Sequence, residues 1–415
     1  MIPNGWKKLP LSQIAEVRTG VAVGKKGLSD PVRLPYLRVA NVQDGRLHLT
    51  EVKFIEVERH QVERYSLKAG DILMTEGGDF DKLGRGDVWQ GQFEPCLHQN
   101  HVFAVRPQVD QVDSFYLSAL AASQYGRDYF LSCAKRSTNL ASINSSQLKA
   151  FPVLLPPLPE QRRIAKILAT WDQTISRTEE LIEKSRKQKL GLMHVLLNGR
   201  RRFEVADGCW KHVNFDTVFD RIVRKNVIGN ANVLTISGEH GLISQREYFN
   251  KSVASANLSG YTLMERGDFA YNKSYSAGYP LGAIKPLLEY DSGVVSSLYL
   301  CFRLRDDADA SLDFFRHYFE AGLFNQEIEG IAQEGARNHG LLNVSVTDFF
   351  KLRLHIPGGP EQRRIADVIN VAEAEESHYK WHLKTLLIEK QALMQQLLTG
   401  KRRVRLPDVE LEAQA

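Results

Sequence analysis

Apolar residues recur at alternating steps of four and three along two long stretches of the chain. In the first stretch the series is Ile164, Leu168, Trp171, Ile175, Thr178, Ile182, Ser185, Lys189, Leu192 and Leu196, a heptad seam with a polar interruption. In the second it is Ile365, Ile369, Ala372, Glu376, Tyr379, Leu383, Leu386, Lys390, Leu393 and Leu397. Between Glu160 and Asn198 there is no proline and one glycine, Gly191, so nothing interrupts a helix there. At about 1.5 Å per residue such a helix is roughly 55–60 Å long. Pro159 and Pro360 mark the starts, where a missing amide hydrogen costs nothing, and Glu160 and Glu361 suit the positive end of the dipole. Gly199 and Gly400, each followed by cationic residues, mark the stops. Bulky residues in one seam stand where small ones stand in the other; Trp171 and Ala372 would complement each other if those positions met.

The two stretches are copies. PEQRRIA occurs at Pro159–Ala165 and again at Pro360–Ala366, an offset of 360 − 159 = 201. The same offset, without a gap, aligns Leu192-Met193 with Leu393-Met394, Leu196-Leu197 with Leu397-Leu398, and Arg201-Arg202 with Arg402-Arg403. Upstream the echo is fainter: Trp6-Lys7 resembles Trp210-Lys211, and Gly70-Asp71-Ile72 resembles Gly267-Asp268-Phe269. The chain reads as one unit written twice, its first part diverged and its last part kept. With the order domain, helix, domain, helix, internal twofold symmetry lays the helices antiparallel with a globular domain at each end.

The diverged parts lack long helical periods. Short β-rich runs such as YLRVANV, HVFAVRP, VVSSLYLCFRL and KLRLHI alternate with the helical stretches DSFYLSALAASQYGRDYFLS and SLDFFRHYFEAGLFNQEIEGIA. Each head is therefore α+β. The expected division is residues 1–158, helix 159–203, residues 204–358, helix 359–406 and a tail, 407–415.

Composition narrows the classes. With 415 residues and 43% apolar content the chain can fill more than one core, and a formal charge of +5 permits a polyanionic partner without selecting one. The four cysteines are scattered, with no CxxC pair, which favours a reducing, cytoplasmic setting. The N-terminus lacks the apolar centre of a signal peptide, and no run of about 18 apolar residues is present to cross a bilayer, so no membrane role is expected.

A search for catalytic chemistry finds little. GVAVGKKG at Gly20–Gly27 has three residues between its glycines where a phosphate-binding loop has four, and Lys26 where Ser or Thr would hold magnesium. Asp30 with Glu51-Val52-Lys53 faintly resembles a metal-dependent nuclease site but occurs once in a duplicated chain; a strand explains EVKFIEV better. There is no GxSxG, no HExxH and no metal spacing among the histidines, so no catalytic or metal residue is assigned. Cationic and polar side chains of the kind that reach bases and phosphates lie in loop-like parts of both heads: Lys25, Lys26, Arg85, Lys135 and Arg136 in the first, Arg221, Arg224, Lys225, Lys273, Arg337 and His339 in the second. Identical residues in both copies, Glu160, Gln161, Arg162 and Arg163 with Glu361, Gln362, Arg363 and Arg364, point to a shared partner surface in place of a merely solvated helix face.

PPLPEQRRIA and IPGGPEQRRIA, the LLxGxxR helix ends, and the alternation of variable and repeated regions give a chain that resembles the specificity subunits of type I restriction-modification enzymes. GWKKLPLSQIAEVRTG and GDILM support the resemblance; in the second copy PGGP replaces PPLP and GDFAY replaces GDILM, which blurs where the second head ends. The resemblance implies an α+β fold with two target-recognition domains held apart by two long antiparallel helices, a coiled-coil spacer with an internal pseudo-twofold repeat. It implies that each domain reads one half of a split site in double-stranded DNA, and that each repeated region docks one methyltransferase subunit. Restriction subunits then join the complex. It implies no cofactor in this chain: S-adenosylmethionine, ATP and magnesium would be used by the partners, which would carry the adenine methylation and ATP-dependent cleavage. The rival expectations are a nuclease around Asp30 and Glu51, a non-catalytic coiled-coil adaptor, and a DNA-binding regulator of a related defence system.

Overall fold

A computed structural model of the chain describes residues 2–24, 27–78, 83–136, 141–203, 209–238, 240–249, 257–276, 278–334 and 342–406. Both long helices are present, as Leu158–Leu196 and Gly359–Leu398. All twenty seam positions are buried or half-buried, so the heptad pattern found the packed face in each copy. The chain divides into two compact units, residues 1–179 with 381–415 and residues 180–380. The boundaries cut both helices near their middles, so each unit owns a head, half of one helix and half of the other.

In the first unit the helix segments run antiparallel: Glu160 meets Arg403, and Asp172 meets Lys390. Ile164, Ala165 and Leu168 from one segment join Leu397 and Leu398 from the other in the head's core. The same holds in the second unit, where Arg202 meets Glu361, Lys189 meets Glu376, and Met193, Leu196 and Leu197 share a core with Ile365, Ala366 and Ile369. This register places Trp171 opposite the turn carrying Gln391 and Ala392, so the expected complement of Trp171 and Ala372 is not how the seam is filled. Copy-to-copy alignment compares equivalent positions, and antiparallel packing brings together non-equivalent ones.

Each head is built on a four-stranded antiparallel sheet of identical topology. In the first the order is Ala15–Thr19, Val102–Pro107, Ile72–Thr75, Gly86–Val88; in the second it is Phe219–Arg221, Leu300–Leu304, Phe269–Asn272, Ala283–Pro286. A two-stranded ribbon leads into each long helix, Lys7–Pro10 with Pro152–Leu155 and Lys211–Asn214 with Arg353–Ile356. The predicted helical stretches form Ser114–Ala122 and Gln124–Cys133 in the first head, and Leu312–Glu320 and Asn325–Glu329 in the second. Asp113 and Ser311 cap the leading helix of each head by accepting from the amides of Tyr116 and Phe314.

The heads part company in their outer layers and cores. In the first, Pro31–Leu37 pairs antiparallel with Lys53–Glu58 and parallel with Leu97–His98. In the second, a hairpin forms from Leu234–Ser237 with Gly241–Ser244, and Thr262–Glu265 pairs antiparallel with Ser292–Val295 across the two strands that lie between them in sequence. The second core is a phenylalanine cluster in which Phe215 stacks on Phe219 at 4.5 Å and Phe269 on Phe302 at 5.5 Å.

Candidate nucleic-acid interface

One place in each head carries candidate DNA contacts on equivalent backbone. The hairpin after Ile72–Thr75 continues into Gly77–Gly78, which pairs with Ala141–Ser142, and that strand pairs with Lys135–Arg136. The Glu76 carbonyl accepts from the Ile143 amide at 2.8 Å, and the Arg85 carbonyl closes the hairpin by accepting from Thr75 at 3.1 Å. Gly77 is required, because a Cβ there would lie 2.9 Å from the Ala141 carbonyl oxygen. In the second head the residue after Phe269–Asn272 is Lys273, whose carbonyl accepts from the Leu342 amide at 2.9 Å; Leu342–Asn343 pairs with Gln333–Glu334. Hairpin base and ribbon thus meet in both heads, bringing Arg85, Lys135 and Arg136 to one locus and Lys273 to its counterpart.

The other candidates fall elsewhere. Lys25, Lys26, Arg337 and His339 lie outside the described residues, Arg337 and His339 in sequence between the two ribbon strands of the second head. Arg221 is exposed at the end of an edge strand. Arg224 is committed inside the head: its guanidinium contacts both Asp268 and Glu265, so its charge is neutralised there and its role is structural. The Asp268 carboxylate also accepts from the Glu265 amide at 2.7 Å. Asp71 stands at the same place in the first head, accepting from the Lys68 amide at 2.8 Å and gripped by Arg106 at 2.7 Å through both Nε and Nη2. The repeated Gly-Asp is therefore a turn that an arginine braces. Lys225 donates to the Gly260 carbonyl at 3.1 Å.

Tyr275, 63% exposed in the second head's hairpin, was missed by a search for cations. An aromatic beside Lys273 in a polar loop was its available signal. Gly20 sits where a Cβ would clash with the His98 carbonyl oxygen at 2.0 Å, so close backbone approach, not phosphate binding, explains that glycine. Asp30 is paired with Arg59 at 2.9 Å and Glu51 with Arg38 at 3.3 Å, and among the described residues no His, Cys, Asp and Glu group could hold a metal. These pairings oppose the nuclease expectation.

The repeated helix starts divide into an inner and an outer set. Glu160, Gln161, Glu361 and Gln362 are all buried. Gln161 accepts from the Asp113 amide at 2.9 Å and donates to the Pro156 carbonyl at 2.8 Å; Gln362 accepts from Ser311 at 3.0 Å and donates to Pro357 at 2.9 Å. Each glutamine ties its long helix to the cap of the head's leading helix. Each glutamate binds an arginine from the far end of the other long helix. These four residues are an internal joint, which corrects the expectation that they face a partner. Arg162, Arg163, Arg363 and Arg364 remain exposed. Arg363 contacts Asp309 at 2.7 Å, and Arg364 lies 5.8 Å from the Phe203 ring centroid.

Residues 3–185 match the type I restriction modification DNA specificity domain. That stretch is similar to this family's domain over a little less than half of the chain. Over 216 residues the chain is 32% identical to the putative type I restriction enzyme MjaX specificity subunit of Methanocaldococcus jannaschii, covering 52% of this chain and 48% of that one. It is 27% identical over 164 residues to the type I restriction enzyme EcoKI specificity subunit of Escherichia coli, covering 39% of this chain and 35% of that one. The matches span about half or less of these relatives' length. Among solved structures, the HsdS subunit from Thermoanaerobacter tengcongensis has a TM-score of 0.55 at 16% identity, covering 97% of this chain and 98% of that one. A structure concerned with complex assembly and conformational transition of the type I R-M system has a TM-score of 0.60 at 15% identity, covering 97% and 100%. The specificity-domain fold therefore extends past residue 185. The repeated strand order of residues 180–380 says the same from inside the chain. Among the described residues no helix is long and apolar enough to cross a membrane.

Proposed function

We propose that this chain is the non-catalytic DNA-recognition subunit of a type I restriction-modification complex, reading a bipartite site with a fixed spacer. One observation carries the reading: each unit repeats the same sheet, hairpin and ribbon, yet the side chains on that hairpin and ribbon differ. A shared scaffold with different tips is what two different half-sites require, since specificity comes from side chains reaching base edges. Two long helices of defined register then make half-site spacing a geometric property. Two methyltransferase subunits dock, one against each exposed arginine pair, Arg162-Arg163 and Arg363-Arg364. Restriction subunits join through that complex, and S-adenosylmethionine, ATP and magnesium belong to the partners.

The test is a genome-wide map of methylated adenines in cells carrying the neighbouring methyltransferase subunit, with and without this chain. A split motif with a constant spacer, present only with the chain, is the expected result. No difference, with both proteins expressed and associated, would overturn the reading in favour of a structural adaptor.

A further inference from the structure

Lys285 is buried in the second head, 8% exposed, on the strand Ala283–Pro286 opposite Ala270. A buried ammonium is unfavourable unless each of its donors finds an acceptor. Lys285 has three. Its Nζ donates to the Gly238 carbonyl at 3.1 Å and to the Tyr279 hydroxyl at 2.8 Å, and it forms an ion pair with Glu320. The Tyr279 hydroxyl in turn donates to the Gly238 carbonyl at 3.1 Å or to Glu320 Oε1 at 2.8 Å. Three separate pieces of backbone converge here: the tip of the hairpin 234–244, the hairpin 273–282 that begins at Lys273, and the last turn of Leu312–Glu320. Burial and the Glu320 carboxylate together push the Tyr279 phenol well above its ordinary range, so it stays protonated and able to donate.

Among the described residues the first head has no buried lysine at the equivalent place. The register that pairs Leu73 with Asp87 equates Asp87 with Lys285, and the helix position equivalent to Glu320 is Ala122. There the corresponding hairpin tip is held by Gly45 donating to the Gly86 carbonyl at 3.1 Å and, at the surface, by Arg127 paired with Asp44 at 2.7 Å, not by a buried lysine. Opposite charges at one scaffold position mark a feature belonging to the second head's own recognition surface.

Resting on the DNA-recognition reading, we infer that Lys285, with Tyr279 and Glu320, is a positioning residue for the second half-site, fixing the hairpin 273–282 that presents Lys273 and Tyr275. Lys285 touches no DNA in this role; it sets where the reading hairpin stands. Loss of the clamp frees the hairpin to accept wrong bases, while the first head keeps its own half-site.

The experiment maps methylated adenines for the full chain with its methyltransferase subunit, comparing wild type with Lys285→Met, Lys285→Arg and Tyr279→Phe. Wild type defines both half-sites. Lys285→Met is expected to raise methylation at sites with one mismatch in the second half-site by roughly ten-fold, on the scale of one mismatch energy. Sites with one mismatch in the first half-site should not change. Tyr279→Phe removes one hydroxyl, leaves the fold intact and should give a smaller rise at the same sites, and Lys285→Arg should restore much of the discrimination. Equal loosening at both half-sites, or an unchanged second half-site in folded Tyr279→Phe and Lys285→Met proteins, overturns the inference. Absence of any split motif with wild type would instead sink the recognition reading on which it rests.

Discussion

Arg403 grips Glu160 through Nε at 2.6 Å and Nη2 at 2.7 Å, and Arg202 grips Glu361 in the same way at 3.1 and 2.8 Å. The two pairs are one pair repeated, since 160 + 201 = 361 and 202 + 201 = 403. Each glutamate is buried and each arginine is partly exposed, with side-chain exposures of 3% for both acids against 46% for Arg403 and 35% for Arg202.

Removing the arginine leaves a buried carboxylate uncompensated, so Arg202→Ala should lower the urea midpoint of the second unit. Arg403→Ala should cost less. Glu160 keeps the Trp6 indole N–H at 3.3 Å, whereas the Trp210 indole N–H is buried without a hydrogen-bond partner. Urea unfolding of both variants checks the order; equal losses would show that Trp6 contributes nothing.

The same equivalence predicts that half the chain assembles. Residues 1–203 contain both Glu160 and Arg202, and Arg202 stands in the repeat where Arg403 stands. Two copies can therefore exchange the grip, each arginine binding the other copy's glutamate. Sedimentation equilibrium should give twice the monomer mass. Arg202→Glu should abolish that dimer, and adding Glu160→Arg should restore it by reversing the pair. A monomer at micromolar concentration would show that the rest of the chain is needed to align the helices.

How much of this could be read beforehand follows from periodicity and its limits. The helices and their seams were legible because a proline-free heptad pattern demands burial on one face, and every seam residue from Ile164 to Leu397 met that demand. The roles of Glu160 and Gln161 were not. Identity in both copies looked like a shared partner, yet it follows equally from a shared internal joint. Arg202 and Arg403, repeated at the same offset, were the clue that an internal partner existed. Arg224 was misread for a related reason: an arginine near a loop has the same sequence signature whether it faces DNA or, as here, Asp268. Hairpin and ribbon could not be joined from sequence because the pairing of Gly77–Gly78 with Ala141–Ser142 spans more than sixty residues.

Glu376 sits in the seam between Lys189 at 2.7 Å and Lys380 at 2.7 Å. Burial alone would raise its pKa, but the two ammonium groups outweigh burial and hold it below the ordinary 4.5. A depressed folded pKa means the carboxylate stabilises the fold above about pH 4.5, and this contribution is lost as pH falls through the folded value. Glu376→Gln should therefore flatten the acid limb of the stability profile while leaving the slope above pH 6 unchanged. Urea midpoints between pH 3 and 7 measure this, and parallel acid limbs for variant and wild type would rule it out.

Arg163 and Arg364 are equivalent, since 163 + 201 = 364, and both are exposed, whereas the glutamate and glutamine beside them are internal. If these arginines dock the methyltransferase subunits, Arg163→Glu and Arg364→Glu should each remove one subunit and leave the other bound. Native mass spectrometry of the purified complex should then show one methyltransferase per chain for either single variant and none for the double. The helices should remain intact, because neither side chain contributes to the seam and exposed substitutions generally shift stability by less than about 0.5 kcal/mol. Two subunits bound to the double variant would return Arg163 and Arg364 to an ordinary solvated helix face and move the docking surface elsewhere on the helices.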